Sequence, residues 1–293
     1  MGDRLVRSVV FGLAALALAW ASDAAANIFA ENGADPRLIA SPVGEPDFAP
    51  VGMVQTLSPV PYRDGRSVST TGTGFAVSPC LFLTNYHGVF GGADSVAFPP
   101  ATVRVAVWTR GGTLATSDAM PIAWGDPATN GKDDWALLQL SECLGGRPDV
   151  GWFALEFEPQ QELFARTLNT AGYADDLKSR FVQQGCHIHA VSLDDKALND
   201  CANRGGTSGS PLFYMKDGVA VAVALQRGEL NRTDPVLPIY SHDYANTAVL
   251  MGRVLARDDV RRTIQADFDA HLLANPLRGS QSPVEAVTTA PLE

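Results

Sequence analysis

Beyond residues 1–26, the 293-residue chain has no apolar run long enough to cross a bilayer as a helix, which takes about 20 residues. It also has no excess of positive charge. Lys and Arg number 22 against 32 Asp and Glu, a net charge of −10. An acidic chain without a basic patch is poorly matched to a phosphate backbone, which excludes nucleic acid as its main partner. No long helical patterns separate its apolar runs, so a parallel α/β sheet is excluded. There is no internal repeat and no low-complexity tract.

What is present begins with a signal-peptide pattern. Arg4 and Arg7 precede an uncharged stretch from Ser8 to Ser22, and Ala24, Ala25 and Ala26 offer a small-residue cleavage site. Residues 1–26 are therefore expected to be removed, leaving a protein exported to the periplasm or the medium and free of the membrane. Four cysteines fit an oxidising destination. Of the three possible pairings, we expect Cys80 with Cys143 and Cys186 with Cys201, one bridge in each half of the chain. The Cys186-His187-Ile188-His189 run has the wrong ligand spacing for a zinc finger, and no metal or cofactor is expected.

From Val51 onward, short apolar runs alternate with turn residues. Examples are Val103–Trp108, Trp135–Leu140 and Val219–Leu225. Many short strands with frequent turns predict an all-β sandwich or barrel. Residues 27–50 read as an extended arm, dotted with Pro and Gly. Near the end, Val260, Ile264, Phe268 and Leu272 recur every four residues, one face of an amphipathic helix. Residues 275–293 read as a mobile Ser-, Thr- and Pro-containing tail.

Three motifs carry chemistry. In Gly205-Gly206-Thr207-Ser208-Gly209-Ser210-Pro211, glycines allow a tight turn that presents the Ser208 hydroxyl as a nucleophile. The backbone N–H groups of Gly206 and Ser208 would form an oxyanion hole. In Phe82-Leu83-Thr84-Asn85-Tyr86-His87, a histidine suited to general-base work follows an apolar strand. In Asp133-Asp134-Trp135-Ala136-Leu137, a carboxylate sits at the start of a buried strand, where it can orient an imidazole. Asp134 is preferred to Asp133 because it directly precedes the apolar run. The order His, Asp, Ser is one of the known chain orders for an acyl-transfer triad; the α/β-hydrolase order is different.

These motifs resemble those of the bacterial trypsin-like serine proteases close to glutamyl endopeptidase. The shared elements are Thr84-Asn85-Tyr86-His87, Asp134-Trp135-Ala136-Leu137 and Gly206-Thr207-Ser208-Gly209-Ser210-Pro211, and the likeness runs from about Ile28 to Phe268. The resemblance implies two six-stranded antiparallel β-barrels with a C-terminal α-helix. The expected divisions are an arm and first barrel over 27–150, a second barrel over 151–255, and a helix over 256–274. It also implies a monomeric endopeptidase that cleaves protein or peptide substrates. A catalytically silent binding protein on the same fold, or an esterase, are the alternatives.

Two departures from the family pattern stand out. Thr207 replaces the aspartate that pairs with a new N-terminus in trypsin zymogens, so activation must differ, by signal removal or by a second cut near Arg37. Gln226 stands where glutamyl endopeptidases place a pocket histidine. Asn203, Gln226, Arg227 and Glu229 are the candidate specificity-pocket residues, with Arg227 the only cation among them.

Overall fold

Apolar side chains alternate along the first strands, and that alternation closes a barrel. The computed structural model describes residues 27–41, 48–57, 69–90, 102–126, 128–129, 131–231, 236–237 and 239–274. The signal peptide (1–26) and the tail (275–293) read from the sequence lie outside them. After a two-residue strand β1 (Leu38–Ile39) come β2 (Val51–Leu57), β3 (Ser69–Ala76), β4 (Leu81–Thr84), β5 (Thr102–Trp108), β6 (Leu114–Trp124) and β7 (Ala136–Leu140). Strands β2 to β7 form a closed barrel in the order β2-β3-β4-β7-β6-β5, with every neighbouring pair antiparallel.

In β5, Val103, Val105 and Val107 point into this barrel. Strand β4 is buried on both faces, which accounts for its unbroken apolar run. Phe82 packs with Val54, Val105 and Leu138 inside the barrel. Its neighbours Leu81 and Leu83 belong instead to a core shared with Phe153, Phe213 and Leu225 of the second half. A one-residue change of register would reverse these faces, so the register is fixed by burial.

The second half contains β8 (Ala154–Leu155), β9 (Leu168–Ala174), β10 (Ser179–Cys186), β11 (Ile188–Val191), β12 (Lys196–Asn199), β13 (Pro211–Lys216), β14 (Val219–Glu229) and β15 (Asn246–Leu250). With β1 they make a nine-stranded sheet in the order β1-β10-β9-β13-β14-β15-β12-β11, with β8 parallel to β14. The second antiparallel β unit is present as expected, within a larger sheet than a closed six-stranded barrel. The N-terminal arm adds β1 to the β10 edge, β8 adds a further pair, and no pair among the described residues closes the path. Register shifts at Gln184/Cys186, Leu212/Phe213 and Gln226/Gly228 mark bulges in the sheet.

Both disulfides join the expected partners, Cys80 with Cys143 and Cys186 with Cys201. Three short helices escaped the pattern reading: α1 (Tyr86–Phe90), α2 (Gln160–Ala165) and α3 (Met251–Leu255). The closing helix α4 (Asp258–Ala274) was legible. Val260, Ile264 and Phe268 are buried along it, and Phe268 meets Trp152 edge to face at 5.5 Å. His271 Nε2 lies 3.1 Å from Cys80 Sγ, so α4 also reaches the first disulfide.

Candidate active site

The first barrel supplies an imidazole and a carboxylate. Strand β4 delivers the chain into α1, and His87 stands in that short helix rather than on a free strand end. Asp134 immediately precedes the buried Trp135 and β7, and is itself buried. Its Oδ2 lies 2.7 Å from His87 Nδ1, and its Oδ1 accepts the His87 backbone N–H at 2.9 Å. A carboxylate only accepts, so Nδ1 carries the hydrogen and the neutral ring presents a lone pair at Nε2. Asn85, fully buried, donates from Nδ2 to the Asp134 carbonyl at 2.7 Å and fixes the loop that carries it. Asp133 is turned away and holds Arg253 through contacts of 2.8 and 3.0 Å.

Burial alone would raise the Asp134 pKa. The adjacent imidazole, the hydrogen bonds from His87 and the nearby Arg227 guanidinium outweigh burial and hold the carboxyl below its ordinary value. Arg227 Nε lies 3.1 Å from Asp134 Oδ2.

The second half supplies the hydroxyl. Ser208 sits on a tight turn between Gly206 (φ +87°) and Gly209 (φ +95°). A Cβ at Gly209 would lie 1.9 Å from the Thr73 carbonyl oxygen, so this turn can approach the first barrel only as glycine. The approach is locked by Thr73, whose N–H donates to the Ser208 carbonyl and whose hydroxyl donates to the Gly206 carbonyl, both at 2.8 Å. The Gly205 carbonyl accepts from the Asp175 N–H at 2.8 Å. In a trans peptide the following N–H points the opposite way, so the Gly206 N–H faces away from Asp175. Among the described residues, neither the Gly206 nor the Ser208 N–H is taken by another group. Two unengaged donors beside a hydroxyl are the elements of an oxyanion hole.

The Ser208 hydroxyl donates to the Arg227 carbonyl at 3.1 Å. Among the described residues no hydrogen bond joins it to His87. The structure thus couples imidazole to carboxylate directly, and brings the hydroxyl to the same strand segment that touches the carboxylate.

Residues 72–223 match the trypsin-like peptidase domain family. The chain belongs to this family. Among solved structures, a Glu endopeptidase crystallised with MPD is similar at 16% identity with a TM-score of 0.56, covering 80% of this chain and 98% of that one. The protease Anisep from Arthrobacter nicotinovorans is similar at 13% identity with a TM-score of 0.53, covering 73% and 93%. At these identities the likeness is one of fold. No curated protein matches the chain in sequence.

Within this trypsin-like peptidase, the candidate pocket residues divide. Asn203 is buried: its Nδ2 donates to the Gly228 carbonyl at 2.8 Å, and its Oδ1 accepts from the Thr207 hydroxyl. Gln226 is fully buried, its Nε2 3.4 Å from the Cys201 carbonyl and its Oε1 without a partner. Glu229 is half-buried at the end of β14. Arg227 does not supply the pocket with a positive charge, since its guanidinium is directed to Asp134.

The sequence reading missed the clamp on the nucleophile loop. Thr207, in place of an aspartate, donates to Asn203 and to the Arg204 carbonyl and accepts from the Arg204 N–H. Asn27, at the start of the arm, is buried too. Its carbonyl accepts from the Asn203 N–H at 3.1 Å and from Asn246 Nδ2 at 2.8 Å. Arg37, considered as a cleavage point, is enclosed by Asp35 and Asp176 and precedes β1.

Because the folded Asp134 pKa is depressed, the carboxylate contributes stability above its unfolded value of 3.8 and loses it as pH falls through the lower folded value. The difference in unfolding free energy between wild type and Asp134→Asn should shrink progressively as pH falls below about 4. Denaturant titrations of both proteins from pH 7 to pH 2 check this; a difference independent of pH would contradict it.

Proposed function

We propose that this trypsin-like peptidase is an exported endopeptidase that cleaves peptide bonds through Ser208, His87 and Asp134. The observation that carries the reading is the 2.7 Å contact between His87 Nδ1 and a buried Asp134 carboxylate, on the face that meets the Ser208 turn. His87 Nε2 takes the Ser208 proton as Oγ bonds to the substrate carbonyl carbon. The tetrahedral oxyanion is received by the Gly206 and Ser208 N–H groups. His87 then gives the proton to the leaving amine as the C–N bond breaks, forming an acyl-enzyme. Water, deprotonated by the same imidazole, attacks the acyl carbon, and the imidazolium returns that proton to Ser208 Oγ as the ester bond breaks and the acid is released. Asp134 fixes the ring tautomer and balances the imidazolium charge.

The hydroxyl must turn from the Arg227 carbonyl to His87 for this to run. Such contacts tighten when substrate binds. The two β halves, 27–150 and 151–255, would each bring one part of the machinery to the groove. Removal of residues 1–26 would leave Asn27 as the first residue, and the burial of Asn27 against Asn203 supports that boundary.

One observation favours a second reading. The Ser208 hydroxyl is bonded to Arg227 and not to His87, as it would be in a silent binding protein on this fold.

A fluorophosphonate probe separates the two readings. The exported protein, with Asn27 at its N-terminus by sequencing, should be labelled at Ser208 and should cleave casein. Ser208→Ala should lose all labelling, and Asp134→Asn should slow it by roughly a thousand- to ten-thousand-fold. An unlabelled wild type supports the silent binding protein, labelling without casein cleavage supports an esterase, and labelling at another serine overturns the assignment.

A further inference from the structure

Arg227 occupies a place that its position on β14 does not by itself explain. The pairing of β14 with β15 matches Gln226 to Ala248 and then Gly228 to Thr247, so Arg227 is the extra residue of a bulge. A bulge re-aims the side chain it carries. Here it swings the guanidinium across to the first barrel, where Nε lies 3.1 Å from Asp134 Oδ2, the same oxygen that His87 Nδ1 contacts at 2.7 Å. The arginine side chain is 21% exposed and that of the aspartate 7%.

A second feature keeps the guanidinium there. Gly131, three residues before Asp134, has φ +82°, and a Cβ on it would lie 2.3 Å from both Cζ and Nε of Arg227. The loop before β7 is therefore shaped around the arginine. The contact is a meeting of charges, since the Nε–H is not aligned with any acceptor.

We propose that Arg227 is a positioning residue of the catalytic centre, whose fixed positive charge shares the Asp134 carboxylate with His87 and so limits how strongly that carboxylate holds a protonated imidazole. The proposal rests on the triad reading above. One carboxylate oxygen now serves two cations whenever the ring is protonated, and the two repel each other. Without the arginine, that carboxylate oxygen would have only the ring to hold.

Two other charges near the pair, those of Asp133 and Lys132, are matched. Asp133 holds Arg253, and Lys132 lies 3.7 Å from Asp195, which Arg253 also approaches at 3.9 Å. Tyr86, next to His87, has its hydroxyl pKa raised by burial and by the charges of Asp134 and Asp126, so it is neutral across the working range. Glu229, two residues on, is half-buried on the same strand. Arg227 is thus the cation that acts on the Asp134 side chain from the second half.

The test is the pH dependence of fluorophosphonate labelling of the exported protein, which needs no knowledge of the natural substrate. Arg227→Met should move the acid limb of the labelling rate to higher pH by about one unit. Arg227→Lys, which keeps a cation on the strand, should stay near the wild-type limb. Gly131→Ala, which displaces the guanidinium but leaves the arginine in the chain, should move the limb in the same direction as Arg227→Met. It keeps the question open to refutation if Arg227→Met fails to fold. An acid limb unmoved in the folded variants, with or without a slower rate, overturns the role of Arg227 and leaves the triad intact. A wild type that takes no label at any pH overturns the peptidase reading itself.

Discussion

The buried carboxylate of Asp134 is the constraint around which the groove is organised. An ionised carboxylate out of water is strongly destabilising unless it is paired and hydrogen-bonded. Here Oδ1 accepts the His87 backbone N–H, and Oδ2 takes both the imidazole and the arginine. Those partners come from two separate segments, α1 and the bulge of β14, which meet at the loop before β7 that carries the aspartate. Satisfying one charge therefore pulls the two halves of the molecule to a common line. The same need places Asn85 beneath the Asp134 carbonyl and leaves Asp133 free to pair with Arg253.

The nucleophile loop is held to that line by main-chain contacts rather than by a charge pair. Thr73 of β3 bonds to both Gly206 and Ser208, and its hydroxyl also accepts the Tyr173 N–H at 2.9 Å. A single threonine of the first barrel thus holds both the turn and the end of β9. Thr207, Asn203 and Asn27 tie the other side of the loop to the N-terminal arm. In a family where an aspartate and a new N-terminus can do this work, the present chain has Thr207 beside Ser208, and the Thr207 hydroxyl donates to Asn203.

Much of this was legible in the sequence because it depends on local pattern. The alternation in Val103–Val107 and the four-residue repeat of Val260, Ile264 and Phe268 each report a buried face directly. The His87, Asp134 and Ser208 motifs are legible because a nucleophile turn and a strand-end acid require particular neighbours. What was not legible depends on long-range geometry. The direction of Arg227 is set by a bulge in pairing with β15, and the slot it fills by a glycine almost a hundred residues away in the chain. Helices α1, α2 and α3 are too short for a helical period to show. The second sheet gained strands because β1 comes from an arm whose Pro and Gly residues hide a two-residue pairing.

The arrangement is most directly tested by a crystal structure of the phosphonylated protein. The account predicts phosphorus bonded to Ser208 Oγ, a phosphonyl oxygen about 3 Å from the Gly206 and Ser208 nitrogens, and His87 Nε2 facing the adduct while Nδ1 stays on Asp134. An adduct whose oxygen points away from those two N–H groups, or an imidazole that has left Asp134 and cannot reach Ser208, would contradict it.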